Sequence, residues 1–318
     1  MKHHLLILSL LFPTLVFGQQ LPNFGLYHEY QSYLNPAALP HDYFKEDQNA
    51  QVGISLRNQW NRFGDGSPTT GFIHGTYVGD QSNTKLIIGG SLLVDKAGPI
   101  NLIGANAKFG VLFSDDPLYG GFSAALTIGY KQQSIRADQL HANYSNRSIG
   151  EILAAGENFK AGSPDIGLGI FYHARLQNED NFYTGLSMPQ FFSVNGITSN
   201  NKANIKTIPH YYGMIGYIKY LNDYSFLEPS AIVRYAQNIP VHIDLSLKYQ
   251  LDQTLWLGVG ASSSKVIHME AGVVLGENIG LSSPFRISYS YENGFNELAA
   301  PFGNTHEISM SYAWDTRR

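Results

Sequence analysis

The chain has 318 residues, no cysteine and a formal net charge of −4 at pH 7. This excludes disulfides and thiolate metal centres and leaves no basic footprint for nucleic acid. Charged residues make up 14% of the chain, well under the ~25% of ordinary soluble domains. Glycine, tyrosine and phenylalanine are abundant, at 32, 20 and 18 residues.

The chain opens MKHHLLILSLLFPTLVFGQQ. Lys2 supplies a positive start, and Leu5 to Phe17 is an apolar run too short for the ~20 residues of a spanning helix. The pattern is that of a secretory signal peptide over residues 1–18, with compact residues at Val16 and Gly18 setting cleavage after Gly18. Residues 19–50 contain LNPAALP. The residue before each proline is biased away from helix, so this part reads as an extended periplasmic or lumenal segment.

From residue 51 to residue 318 the dominant signal is alternation with period two. Candidate strands lie at 51–59, 71–79, 85–94 and 101–112. In GFSAALTIGYK, Phe122, Leu126, Ile128 and Tyr130 alternate with Ser123, Thr127 and Lys131. In DIGLGIFYHAR, Ile166, Leu168, Ile170 and Tyr172 alternate with Asp165, Phe171, His173 and Arg175. Weaker candidates follow at 182–189, 209–220 and 226–236. VHIDLSLKYQ sets Ile243, Leu245, Leu247 and Tyr249 against His242, Asp244, Ser246 and Lys248. Then come 254–262, 266–276, RISYSYE and the closing HEISMSYAW. The total, about fourteen, is even and falls within the range of bacterial outer-membrane barrels. No segment is apolar enough for a transmembrane helix.

The connections sort by parity. Those after even strands are short and rich in Asp, Asn, Gly or Pro, and the four longest all follow odd strands. Outer-membrane barrels have short periplasmic turns and long external loops. The expected architecture is therefore an all-β, antiparallel up-and-down transmembrane barrel, with residues 51–318 as the wall. Strand 51–59 must then pair with 305–314, because an open edge in lipid leaves backbone groups unsatisfied. The lumen-facing charges are expected to be Asp165, Arg175, Arg234, Asp244, Lys248, Arg286, Glu292 and Glu307. A Lys or Arg facing lipid at the midplane would cost about 2–4 kcal/mol. In the longest connection, Ile149, Ile152 and Leu153 have helical spacing. That piece reads either as a lid folded into the mouth or as a surface excursion.

No catalytic constellation is present. His173, His210, His242, His268 and His306 are scattered, and neither zinc spacings nor a GxSxG or Walker pattern occurs. Structural ion pairing accounts for Glu292 and Glu307, expected near Arg286. No cofactor is implied. Two connections on the expected external side, RNQWNRFGDGSPTT and DKAGP, combine turn-forming glycines with rigid prolines. Arg57, Trp60, Arg62, Pro68, Asp95, Lys96 and Pro99 are candidates for a docking rim, since aromatic and arginine anchors suit protein contacts. Two hairpin loops merely packing together at the rim is the equally simple alternative.

Ordered pieces along the chain carry a resemblance. YLNPAA (Tyr33–Ala38), RNQW (Arg57–Trp60), SPTT (Ser67–Thr70), DKAGP, SPDIGLGIFY (Ser163–Tyr172), GLSMPQFF (Gly185–Phe192), PHYYGMIGY (Pro209–Tyr217), EPSAIVRY (Glu228–Tyr235), LWLGVG (Leu255–Gly260) and THEISMSY (Thr305–Tyr312) form the set. Together they resemble the PorP/SprF family, outer-membrane components of the type IX secretion system of Bacteroidetes. The resemblance implies a role in protein secretion, surface attachment of adhesins and gliding motility. It implies as partners the periplasmic ring lipoproteins of that machinery, or one large secreted surface protein with a C-terminal sorting domain. It carries no catalytic residues. The competing expectation is a transport channel for small or hydrophobic solutes, which a barrel of this size permits.

Overall fold

The computed structural model describes residues 24–40, 42–43, 47–62, 64–79, 83–136, 159–191, 197–198, 208–276, 279–295 and 303–317. The expected leader and the helical spacing at 149–153 lie outside these residues. The strands are β1 (Ala50–Asn58), β2 (Thr69–Val78), β3 (Thr84–Ala97), β4 (Ile100–Phe113), β5 (Gly120–Ile135), β6 (Phe159–Arg175), β7 (Asn181–Gln190), β8 (Ile197–Thr198), β9 (His210–Asn222), β10 (Ser225–Ala236), β11 (His242–Leu251), β12 (Leu255–Ser262), β13 (Val266–Leu275), β14 (Phe285–Gly294) and β15 (Thr305–Trp314). Every strand except β8 pairs antiparallel with two wall neighbours, which closes a ring of fourteen. The seam joins β1 to β15, with Ala50 opposite Trp314 and Asn58 opposite His306. The two-residue β8 pairs with Ala161 and Gly162 of β6 outside that ring.

The dyad pattern explains which side chains go where. Along β11, Ile243, Leu245, Leu247 and Tyr249 are exposed, while Asp244, Ser246, Lys248 and Gln250 are buried. The same inversion recurs around the ring. Val52, Ile54, Leu56, Leu86, Leu92, Ile128, Leu257 and Met269 point outward without protein cover. An exposed apolar surface this large is what lipid contact requires. On the described strands, the outward-facing Lys96, Lys160 and Lys219 sit near strand ends. Aliphatic and aromatic residues hold the middle of the belt.

Two boundaries differ from the sequence expectation. Asp95–Ala97 continues β3, and the hairpin to β4 is only Gly98–Pro99. Gly98 supplies the positive φ, 56°, that a two-residue hairpin uses at its first central position. β5 and β6 also run on, with Ile135 opposite Phe159. Pro164 faces Tyr130 of β5, but the even positions of β6 aim their backbone groups away from β5, as the Phe191 N–H donating to Ile166 O shows. On that side the ladder to β7 begins only at Leu168 and that to β8 ends at Gly162. Its missing N–H therefore interrupts no bond. The connections still sort by end. The four longest (59–68, 136–158, 191–209 and 295–304) all lie at one mouth, and 79–83, 114–119, 176–180, 223–224, 252–254 and 276–284 lie at the other.

The N-terminal segment is not extended. It runs through turns at 25–30, a one-turn helix α1 (Gln31–Leu34) and a further turn. The helix stops where the proline rule requires, since Asn35, before Pro36, is in the β region at φ −132° and ψ 112°. Proline thus limits the helix without straightening the segment, because Asn35 also closes a turn through its side chain. The Ala37 N–H donates to Asn35 Oδ1 at 2.9 Å.

Candidate functional site: a filled interior beneath an open vestibule

The N-terminal segment occupies the interior of the ring. Phe24, Leu26, Tyr27, Tyr30, Leu34, Ala37, Ala38 and Leu39 are all 0–2% exposed. Tyr27, Leu34 and Ala37–Leu39 pack with Val78, Ile87, Leu112, Phe171, Tyr183 and Ile232 from the wall. Phe24, Leu26 and Tyr30 pack with Phe72, Leu93, Trp256 and Val274. Burial pushes the Tyr27 hydroxyl well up from the ordinary tyrosine range, so it stays neutral beside Ser230 Oγ at 2.6 Å.

The best-defined seat is that of Asn35 and Pro36. Asn35 Nδ2 donates to the carbonyls of Ile170 (2.9 Å) and Leu186 (3.4 Å). Ser187 Oγ donates to Leu34 O, and Ser123 Oγ to Ala37 O, both at 2.7 Å. Inward-facing Gly169 and Gly185 make room for this contact. A Cβ at Gly169 would collide with Asn35 Oδ1, and one at Gly185 would stand 2.5 Å from Asn35 Nδ2. Three of the sequence pieces noted above, YLNPAA, SPDIGLGIFY and GLSMPQFF, are therefore parts of one joint.

Buried charges tie the segment to the wall. The Arg286 guanidinium meets Asp42, with Nη2 2.5 Å from Oδ1 and Nε 3.0 Å from Oδ2. Lys248, fully buried, lies 3.8 Å from Glu29 and 4.1 Å from the Trp256 ring centre. His28 Nδ1 stands 3.6 Å from Glu228, and His28 Nε2 3.3 Å from Ser246 Oγ. Asp244 lies 3.8 Å from His268 and 3.9 Å from His242. His268 also reaches Glu270 at 3.2 Å. Asp165 pairs with Lys131 at 2.8 Å. Arg234, 8% exposed, sits over the Tyr212 ring at 5.9 Å.

Three expectations change. Glu292 and Glu307 pair with Arg57 rather than Arg286. The Arg57 guanidinium is bidentate to Glu292, at 2.5 and 2.7 Å, and reaches Glu307 at 3.0 Å. Glu307 Oε2 also accepts the Gly25 N–H at 2.9 Å. Arg57 is 5% exposed and leaves the docking rim for the interior. Its parity, shared with Gln51, Gly53 and Ser55, carried that signal. Arg175 has inward parity but lies at the strand end, exposed, 3.5 Å from Glu179 and over the Tyr119 ring. Asp95 belongs to β3, half-buried, and accepts the Thr70 hydroxyl at 2.6 Å. Of the remaining rim candidates, Arg62 and Lys96 are exposed and Trp60, Pro68 and Pro99 are half-buried. Trp60 holds a positive φ of 58°, and Ser67 Oγ donates to its carbonyl at 2.9 Å.

Above the filled interior, at the mouth with the long connections, lies a vestibule of about 550 Å3. Arg57, Trp60, His210, Tyr212, Arg234, His242 and Glu292 contribute to its lining. It brings the neighbouring strands β9, β10 and β11 together with β1 and β14, which face them only because the ring closes. Among the described residues no group of three or more His, Asp or Glu is placed to hold a metal ion.

A closed, lipid-facing antiparallel ring with a polar, occupied interior is a membrane β-barrel of the outer-membrane type. The toluene transporter TodX of Pseudomonas putida shares the fold, with a TM-score of 0.53 at 10% identity over 89% of this chain and 92% of that one. Two TodX mutants described as a monoaromatic hydrocarbon channel, deltaS2 and deltaS2S3, give TM-scores of 0.54 and 0.55 at 11% identity. Each match covers 89% of this chain and 94% of the other. No curated protein matches the chain. The family pattern described as type IX secretion system membrane protein PorP/SprF matches residues 16–312, and the chain belongs to that family.

Proposed function

We propose that this protein serves type IX secretion as a plugged, non-catalytic outer-membrane barrel that acts by protein–protein contact. The observation that carries the reading is the burial of Phe24–Leu39 inside the ring, with each turn of the segment tied to the wall. A filled lumen suits a docking barrel better than a conduit for small or hydrophobic solutes. In this reading the leader 1–18 is cleaved on export and the long connections face outside. The vestibule, lined in part by Trp60, receives a large secreted surface protein with a C-terminal sorting domain, with Arg62, Pro68, Lys96 and Pro99 as further contacts at the same mouth. The short turns face the periplasmic ring lipoproteins. Surface attachment of adhesins and gliding would follow from such contacts.

Affinity purification of a tagged copy from mildly solubilised outer membranes, followed by mass spectrometry, tests this. Recovery of ring lipoproteins or of one large surface protein supports the docking role. Trp60→Ala combined with Arg62→Ala should lower recovery of the surface protein and spare the lipoproteins. Recovery of the barrel alone in more than one detergent, together with steady open pores in planar bilayers, would move the assignment to the channel.

A further inference from the structure

A second, much smaller cavity lies between the N-terminal segment and the wall formed by β2 to β7. Its volume is about 30 Å3, room for one monatomic ion or one to two waters. Two lysines line it, and the wall is shaped for both. Lys108 on β4 stands opposite Gly89 on β3, and Lys131 on β5 stands opposite Gly104 on β4. A Cβ at Gly89 would come within 3.0 Å of Lys108 Cε, and one at Gly104 within 3.3 Å of Lys131 Cγ. Each glycine thus lets a lysine stem lie along the inner wall and deliver its ammonium to the cavity.

The charges there do not balance. Lys131 pairs with Asp165 at 2.8 Å. Lys108, 3% exposed, donates to Thr76 Oγ1 at 2.9 Å, and among the described residues no carboxylate pairs with it. Asp165 is the one carboxylate among the residues lining the cavity. Donor capacity is also in surplus. His74 is 5% exposed and both of its ring nitrogens lack a hydrogen-bond partner, as does the buried Ser91 Oγ. Ser32 and Tyr33 of the N-terminal segment close the other side. A buried charge is held by a counter-charge and hydrogen bonds or it is strongly disfavoured.

We propose that this cavity is a binding site for a halide-sized monovalent anion, held by Lys108 with His74 and Ser91 as further donors. The anion balances the second ammonium and bridges the wall to Ser32 and Tyr33. A phosphate or an organic acid exceeds the space. The site does not depend on the docking reading, since it concerns how the segment is fastened.

The test uses the full-length barrel purified in detergent without halide, with ionic strength held by sodium gluconate. Replacing gluconate by bromide should raise the thermal midpoint along a saturating curve, and Lys108→Met should flatten that curve. Crystals of the wild-type barrel grown in bromide should give an anomalous peak within hydrogen-bond reach of Lys108 Nζ. A midpoint indifferent to bromide, a response undiminished in Lys108→Met, or a site holding only water would each overturn the proposal. The wild-type crystal decides the matter even if the variant does not fold.

Discussion

At the mouth with the short turns, the N-terminal segment leaves the interior through a surface latch. Asn49 Nδ2 donates to Val78 O and to Thr316 Oγ1, both at 3.0 Å, and Asn49 Oδ1 accepts the Thr316 N–H at 2.9 Å. Arg317 adds an ion pair with Asp47 at 2.8 Å. At the opposite mouth, the start of the described segment meets a buried triad instead, with Arg57 between Glu292 and Glu307 and the Gly25 N–H on Glu307. The first fastening sets a buried Asn49 amide against the exposed Thr316 and Arg317. The second is charged and mostly buried, and it borders the vestibule, which Arg57 and Glu292 help to line. A partner entering from the vestibule side would meet the end of the segment whose contacts are most sensitive to losing one member.

That contrast can be broken at graded depth. Arg57→Met should have the largest effect, because it leaves two carboxylates in the interior without their cation. Removing one member of a buried pair costs about 3–5 kcal/mol, read as a fall in the urea midpoint of the detergent-solubilised or lipid-embedded barrel. Gly169→Val comes next. It drives a side chain into Asn35, and overpacking of this kind costs about 1–3 kcal/mol. Its distinctive readout is new conductance in planar bilayers as the segment lifts from its joint. At the other mouth, Asn49→Ala removes one buried hydrogen bond to Val78 O and two to the exposed Thr316 that water can replace, for about 0.5–1.5 kcal/mol net. Limited proteolysis should detect loosening around residues 47–49 before the unfolding midpoint moves appreciably. Arg317→Ala should be smallest, about 0.2–1 kcal/mol and weaker at high salt, as for other surface ion pairs. If the two mouths responded equally, the distinction drawn between them would be wrong.

The wall was legible in the sequence because period two is a local signal. VHIDLSLKYQ assigns its own faces whatever it pairs with, and a one-residue slip would turn Asp244 and Lys248 toward lipid. Closure was legible for the same reason, since an open ring in lipid is not an option. Strand ends were harder at β3, where Asp95 and Lys96 look like loop residues until the two-residue Gly98–Pro99 hairpin is known. Partnership inside the ring was not legible. Arg57 and Glu292 are far apart in sequence and meet only across the closed seam. The seat for Asn35 left a fainter trace, in the bare inward positions Gly167 and Gly169 of a strand whose other face is apolar from Ile166 to Tyr172. The vestibule left none, because its lining is drawn from strands scattered around the ring.

The Gly25 to Glu307 bond spans 282 residues and joins the start of the described chain to its last strand. β15 is the strand that closes the ring on β1. The segment is therefore held by the two strands that make the seam, with Glu307 of β15 bonded both to Gly25 and to Arg57 of β1. Filling and closing are thus coupled, each supplying a contact that steadies the other. Contacts of such long sequence separation are slow to form, so sealing the seam and seating the segment are expected to be the late steps of assembly.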